Sequence, residues 1–441
     1  MYKMKEIIYE KTIKIVAIFY EKIFHEKMNN IIEKFIKNIF YVGFATIIAT
    51  IFSFSFNILS ARLLGPMGYG EFALVQTIAF FLAFPMTLGI RTALIKYTSE
   101  NEDFERQRTI ISTAYILASI FIISSVIIYL IFSTQISIVF SVPIAVFYLS
   151  IIFATCYVFY LLTAYTLTSL HQMKKYAIFT TIYNFVLLLV FLIFILINFV
   201  SAKSMIISMC LAYGITGGII IGVIRKYLFL KFDKDWARDL TKYGGYATIG
   251  GASSVLYQNI DKIFIYKYMS VTFVGIYFAY NYSMTLALVF PLQIITTIFL
   301  PFASKYEHKD IIFKKITRIL PLFLLISYPI IIIVGFIILY LYGGRYPFDL
   351  KIASLFAIVT ILIFTEGLYG QLMNSVGKKG IRVTSFAAIF MALTNIFLNI
   401  CLIPLIGLEG AVIATIFSYL VSIIIILSKK RYFYHPEEIK F

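Results

Sequence analysis

Long apolar runs separated by short charged stretches dominate the chain, at about 38–60, 71–95, 109–131, 143–168, 176–199, 203–224, 244–268, 274–302, 318–342, 350–374, 381–404 and 408–428. Each is close to or above the roughly 20 apolar residues that a helix needs to cross hydrocarbon. Backbone groups in lipid find no water to bond, so runs of this length specify helices. The pattern predicts an all-α polytopic membrane protein with about twelve transmembrane helices.

Two stretches follow a different pattern. In residues 1–37, Ile8, Ile15, Phe19, Phe24, Met28, Ile31 and Phe35 recur at near-helical spacing among many Lys and Glu. This predicts an amphipathic helix on the inner membrane surface, and a charged tail without regular structure fits the same spacing. No apolar core of a signal peptide precedes the first span, so no cleaved leader is expected. Residues 225–243 mix Lys, Arg and Asp with Trp236, the only Trp, and read as an interfacial linker between two halves.

Composition sharpens the class. Apolar residues make up 61% and charged residues 13%, against roughly 45–50% and 25% in soluble domains. The net charge of +17 would suggest nucleic acid in a soluble protein. Here the positive-inside rule and anionic lipid headgroups account for it, and no nucleic acid is implied. With the N-terminus inside, 31 of the 38 Lys and Arg fall in cytoplasmic segments, and Arg62, Lys203, Lys267, Arg345 and Lys351 lie outside. Only Arg91 and Lys262 remain within spans. That contrast predicts a multi-pass protein of the cell membrane with both termini cytoplasmic.

An internal repeat organises the spans. A shift of 205 residues lays Arg62 on Lys267, Gly70 on Gly275 and Phe72 on Tyr277. Shifts one residue either side lay Tyr165 on Tyr369, Lys174-Lys175 on Lys378-Lys379, and Phe84-Pro85 on Phe290-Pro291. Six spans followed by six of the same orientation form a parallel repeat, a transporter plan. The expected organisation is a tail at 1–37, a first lobe at 38–224, a linker at 225–243, a second lobe at 244–428 and a tail at 429–441.

Few residues can carry chemistry. Cys156, Cys210 and Cys401 are scattered in apolar runs without metal-ligand or disulfide spacing. All four His fall in predicted cytoplasmic segments, and no phosphate loop or hydrolase motif occurs. No enzyme, cofactor or metal site is expected. Charges inside spans are costly and call for a partner, a wet cavity or a function. Arg91 lies near the inner end of span 2, where snorkelling and substrate contact are equally good accounts. Asp261 and Lys262, preceded by Gln258 and Asn259, form a polar patch near the outer end of span 7; it suits a hydrated cavity, with snorkelling as the alternative. Glu366, beside Gly367 and Gly370, reads first as a protonated acid bonded to a neighbouring helix. Pro85 and Pro291 sit at matching places of the two halves, where kinks would serve as hinges or simply shape the helices.

The stretch Ala61-Arg62-Leu63-Leu64-Gly65-Pro66-Met67-Gly68-Tyr69-Gly70-Glu71-Phe72-Ala73-Leu74 resembles the first outer loop of polysaccharide-biosynthesis flippases. These form the oligosaccharidyl-lipid branch of the multidrug/oligosaccharidyl-lipid/polysaccharide exporter superfamily. Leu88-Gly89-Ile90, Asn259-Ile260-Asp261-Lys262, Val274-Gly275-Ile276-Tyr277, Leu300-Pro301 and Gly407-Leu408-Glu409-Gly410-Ala411 are also similar to that family's patterns. Gly244-Gly245-Tyr246 departs from it, since relatives often carry Pro there.

The resemblance implies two six-helix lobes around a central cavity that opens alternately to either side. It implies transfer of a polyprenyl- or dolichyl-phosphate-linked glycan from the inner to the outer leaflet, with membrane lipids and glycosyltransferases or a polymerase of the same pathway as partners. On this reading Arg62, Arg91, Lys262 and Lys267 would offset headgroup charge, Asp261 belongs to the same polar site, and Asn57, Gln258, Asn259 and Asn281 would touch sugar. Under the rival reading, an exporter of drugs or metabolites driven by H⁺ or Na⁺, Asp261 and Glu366 would be coupling-ion ligands. A non-transporting scaffold of a glycan synthesis complex is a third reading.

Overall fold

The computed structural model describes residues 30–229, 231–294, 303 and 309–434, with side chains from 43 onward except 246, 247, 249, 250 and 289–294. The expected amphipathic tail therefore lies almost wholly outside the described residues, as do 435–441. The described chain is helical throughout its regular parts: α1 Asn30–Thr87, α2 Ile90–Ser99, α3 Phe104–Ile131, α4 Ser133–Val139, α5 Ile144–Ser169, α6 Met173–Leu196 and α7 Ala202–Ile224 form the first half. A short 3-10 turn at Arg225–Tyr227 leads to α8 Lys234–Tyr268, α9 Val271–Ile294, α10 Lys309–Leu341, α11 Leu350–Asn374, α12 Lys378–Ile406, α13 Leu408–Ser428 and α14 Arg431–Tyr434.

Ten segments are long and apolar enough to cross a membrane. One of them, Gly43–Thr87, is 45 residues, twice what a single crossing needs. It bends at Gly65, whose φ of 67° and ψ of −179° lie outside the helical region. Gly meets that positive φ without a Cβ clash, and Pro66 starts the next helix where its missing N–H costs nothing. The connection between the first two spans is thus a one-residue break between two helices rather than a loop. The α8 helix is less apolar than the others, because its start carries Lys234, Asp235, Arg238, Asp239 and Lys242 and its middle carries Gly250, Gly251, Gln258, Asn259, Asp261 and Lys262. Counting it and both arms of α1 gives the twelve crossings the hydrophobic pattern predicts.

Helix ends are set by local chemistry. Asp103, Asp233 and Asp349 each accept backbone N–H groups at the starts of α3, α8 and α11, and Ser201 with Ser204 forms a capping box at α7. The stretch expected as a linker is pinned to the first lobe: the Ser112 hydroxyl donates to Tyr227 O at 3.0 Å and accepts from Phe229 N–H at 3.1 Å, and Thr113 Oγ1 accepts from Asp233 N–H. From Lys234 onward that stretch is already α8, continuous with the seventh crossing. Trp236 packs edge-on against Tyr97 of α2 at 5.7 Å.

The lobes meet through α1 and α2 on one side and α8 and α9 on the other. Two glycine crossings mark the contact. A Cβ on Gly70 would strike Val271 O and lie 2.8 Å from Gly275 N; one on Gly275 would strike Pro66 O and lie 2.9 Å from Gly70 N. Pro66 and Val271 share the 205-residue offset of the two glycines. The contact is therefore self-complementary, as on a two-fold axis, and it joins positions that the sequence repeat equates. At the opposite end Gly89, with φ of 69°, meets Gly244, whose own Cβ would lie 2.7 Å from Leu88 O. Gly at span 7's start, where a Pro was the expected family pattern, is what admits this approach.

Candidate functional site

The polar interior of the second lobe is built around Asp261 on α8. Apolar spans surround it, and it is 4% exposed. Tyr277 Oη on α9 donates to Oδ2 at 2.6 Å, Thr415 Oγ1 on α13 donates to Oδ2 at 3.0 Å, and Asn399 Nδ2 on α12 donates to Oδ1 at 2.5 Å. Asn395, one turn before Asn399, accepts from its amide at 3.0 Å. The Thr415 hydroxyl also reaches Ala411 O at 3.0 Å. Asn399 Oδ1 is buried without a hydrogen-bond partner. Two hydroxyls and one amide N–H, from three neighbouring helices, thus converge on one carboxylate, with no salt bridge to it among the described residues. This cage of donors offsets the cost of burying the carboxylate. Asn395, Asn399 and Thr415 were not singled out in the sequence; the signal was two amides four residues apart within an apolar run.

Lys262, the next residue, points elsewhere. Its Nζ donates to Asn259 Oδ1 at 3.0 Å and lies 5.7 Å from the Phe278 ring centroid. Phe278 packs on Tyr69 and Phe72 of the first lobe, with centroids 5.0 and 6.3 Å apart. Adjacent helix positions differ by about 100°, so Asp261 serves the lobe interior while Lys262 serves the contact between lobes. The two neighbours, expected as one polar patch, thus take different surroundings. Within the first lobe Tyr69 Oη donates to Asn57 Oδ1 at 3.0 Å, and across the contact Tyr346 Oη donates to Ala61 O at 3.0 Å. The last of these bonds ties the outer connection of the second lobe to the first.

The remaining candidates are dispersed. Arg62 and Lys267 are exposed at the outer helix ends, and Lys267 lies over Tyr268 at 5.7 Å. Arg345, which the sequence reading left aside, flanks Gly65 with its side chain. Gln258 is exposed and reaches Tyr257 Oη at 3.4 Å, while Asn281 is half-buried on α9. Arg91, on α2 beside the inner glycine crossing, sits 4.6 Å over the Tyr165 ring in the first lobe. Glu366 is half-buried and accepts from Ser422 Oγ at 3.3 Å, the neighbouring-helix bond expected of a membrane acid. Pro85 lies three residues before Leu88, where φ turns positive at 38°. Pro291 falls within α9, and its side chain lies outside the described residues. No cluster of three or more His, Cys, Asp or Glu able to hold a metal occurs among the described residues.

Paired helical lobes, a buried cation at the contact between them and a hydrogen-bonded carboxylate inside one lobe define a multi-pass membrane protein of the transporter type. Residues 35–307 match the family model described as polysaccharide biosynthesis protein. The chain belongs to that family. It is 29% identical over 223 residues to the probable flippase AglR of Haloferax volcanii. That alignment covers 47% of this chain and 46% of the relative, so less than half the length of the curated relative is matched. Among solved structures, an inward-facing multidrug resistance MATE family transporter of the MOP superfamily superposes with a TM-score of 0.68 at 13% identity, covering 89% of this chain and 96% of the other. An MOP superfamily transporter from Pyrococcus furiosus superposes with a TM-score of 0.58 at 12% identity, covering 91% and 96%. At these identities the structures establish the fold.

Proposed function

We infer that the protein is a flippase, not an enzyme, and that it moves a lipid-linked glycan from the inner to the outer leaflet by alternate opening of its lobes. The observation that carries this reading is the buried cation Lys262 at the lobe contact, bonded to the neutral Asn259. A buried cation without a salt bridge is costly in hydrocarbon, and the phosphate of a polyprenyl or dolichyl carrier would offset it. Asn259, Gln258 and Asn57 surround the path a glycan would take, and Arg91 stands at its inner end. The lipid tail stays in the bilayer, outside the gap between lobes. Enzymes that assemble the glycan on the inner leaflet supply the substrate.

The Asp261 cage supports ion coupling, with H⁺ or Na⁺ as the driving ion. It serves a flippase and a drug exporter equally well, so the substrate assay decides between them. Purified protein in vesicles, with a labelled lipid-linked glycan of its own cell on one leaflet, should deliver that glycan to the other. Lys262→Gln should slow delivery about tenfold or more while leaving the protein folded, since a charged headgroup loses the buried counter-charge that the described residues place at the contact. No delivery by the parent protein, alongside export of small organic cations, would overturn the flippase reading in favour of the exporter.

A further inference from the structure

At the end of the bundle to which the basic-residue distribution assigns the cytoplasm, the start of α12 and the end of α13 enclose an open pocket of about 410 Å³. Lys379 and Arg382 line it from α12, and Lys429 from the end of α13. No carboxylate lines it among the described residues. Below these cations the wall becomes apolar, through Val383, Phe386 and Ile425.

Phe386 begins an exposed stripe on α12 that continues through Phe390, Leu393 and Phe397. The first two rings lie 4.5 Å apart. The spacing of four, three and four residues keeps the stripe on one helix face. Its length, eleven residues at the helical rise, is about 16 Å, close to half the thickness of the hydrocarbon core. A cationic mouth above an apolar track one leaflet long has the shape and charge of a single anionic phospholipid.

We propose that this pocket binds one anionic glycerophospholipid of the inner leaflet. Its phosphate sits among Lys379, Arg382 and Lys429, and an acyl chain lies along Phe386, Phe390, Leu393 and Phe397. Three like charges brought together from segments about fifty residues apart repel one another, and a phosphate relieves that repulsion. The positive end of the α12 dipole adds to the same field. The site is separate from the lobe contact, so its test does not depend on the flippase reading.

The full chain, purified in neutral detergent, would be titrated with phosphatidylglycerol or phosphatidylcholine, and retained lipid counted by native mass spectrometry. Phosphatidylglycerol should be retained in preference, and the triple variant Lys379→Gln, Arg382→Gln, Lys429→Gln should bind it roughly a hundredfold more weakly at low salt. The charge-preserving variant Lys379→Arg, Lys429→Arg should bind as the parent does, which separates charge from folding. Phe390→Ser should weaken retention of phosphatidylglycerol but leave any response to inorganic phosphate unchanged. Equal retention of the two lipids, or unaltered retention by the triple variant, would overturn the proposal. So would a thermal stabilisation by inorganic phosphate equal to that given by the lipid. Preferential retention that appears only after deletion of residues 435–441 would also overturn it, by making the tail with Glu437 and Glu438 the occupant in the full chain.

Discussion

Removing the Asp261 carboxylate would strand the Tyr277 hydroxyl and one N–H of the Asn399 amide, whereas the Thr415 hydroxyl keeps Ala411 O as its partner. Each unpaired buried donor costs on the order of 1 kcal/mol or more. Asp261→Leu should therefore lower stability by about 2 kcal/mol, read as a fall in the thermal unfolding midpoint in detergent. Asp261→Asn keeps an acceptor oxygen and most of the cage, so it should fold near normally yet lose any dependence of transport on an H⁺ or Na⁺ gradient. An unchanged midpoint for the Leu variant would mean the donors find other partners. Asp261 and Lys262 were legible in the sequence because charges in apolar runs are rare and costly. Their opposite directions were not, since adjacent positions on a helix take their meaning from neighbours the chain supplies some 140 to 150 residues later. Asn395, Asn399 and Thr415 stayed hidden for a related reason: uncharged polar residues are common inside membrane helices and weakly marked.

At the scale of helices, the crossing of α1 with α9 is the tightest point of the contact. Gly275→Leu or Gly70→Leu should hold the outer ends of the lobes apart, because the new side chain meets backbone that cannot rotate away. The expected result is increased labelling of cysteines placed near residue 278 by an impermeant thiol reagent, with transport reduced at least tenfold. Gly214→Leu, at a position with open space around it, should leave both unchanged. Outer labelling no different from the parent in the Gly275 and Gly70 variants would remove this crossing as an outer gate. Most spans could be read from hydrophobicity with ends accurate to a few residues, but α10 starts at Lys309, nine residues before the apolar run read from 318. The one-residue turn at Gly65 could not, because a stretch such as 61–70, with three Gly and a Pro, has the composition of a loop whether or not it is helical. The α8 helix shows the reverse difficulty, since its charged first turns read as a linker although they belong to the helix that crosses.

For the molecule as a whole, orientation is the property most open to test. In a background lacking Cys156, Cys210 and Cys401, single cysteines at Val139 and Gly344 should react with an impermeant reagent added to intact cells. Cysteines at Glu102 and Lys378 should react only after the membrane is opened, and the reverse pattern would invert the topology. All four positions are exposed in the structure. The two-lobe plan was visible in the repeat, and the symmetric meeting of Gly70 with Gly275 now gives that repeat a physical locus. A residue on a symmetry axis faces its own counterpart, so its freedom to change is not its own. A methyl group gained by either glycine must be absorbed by the backbone of the other, and no rearrangement confined to one lobe makes the room. The two halves, free to diverge almost everywhere else, are held at this point to a shared history: here they change together or not at all.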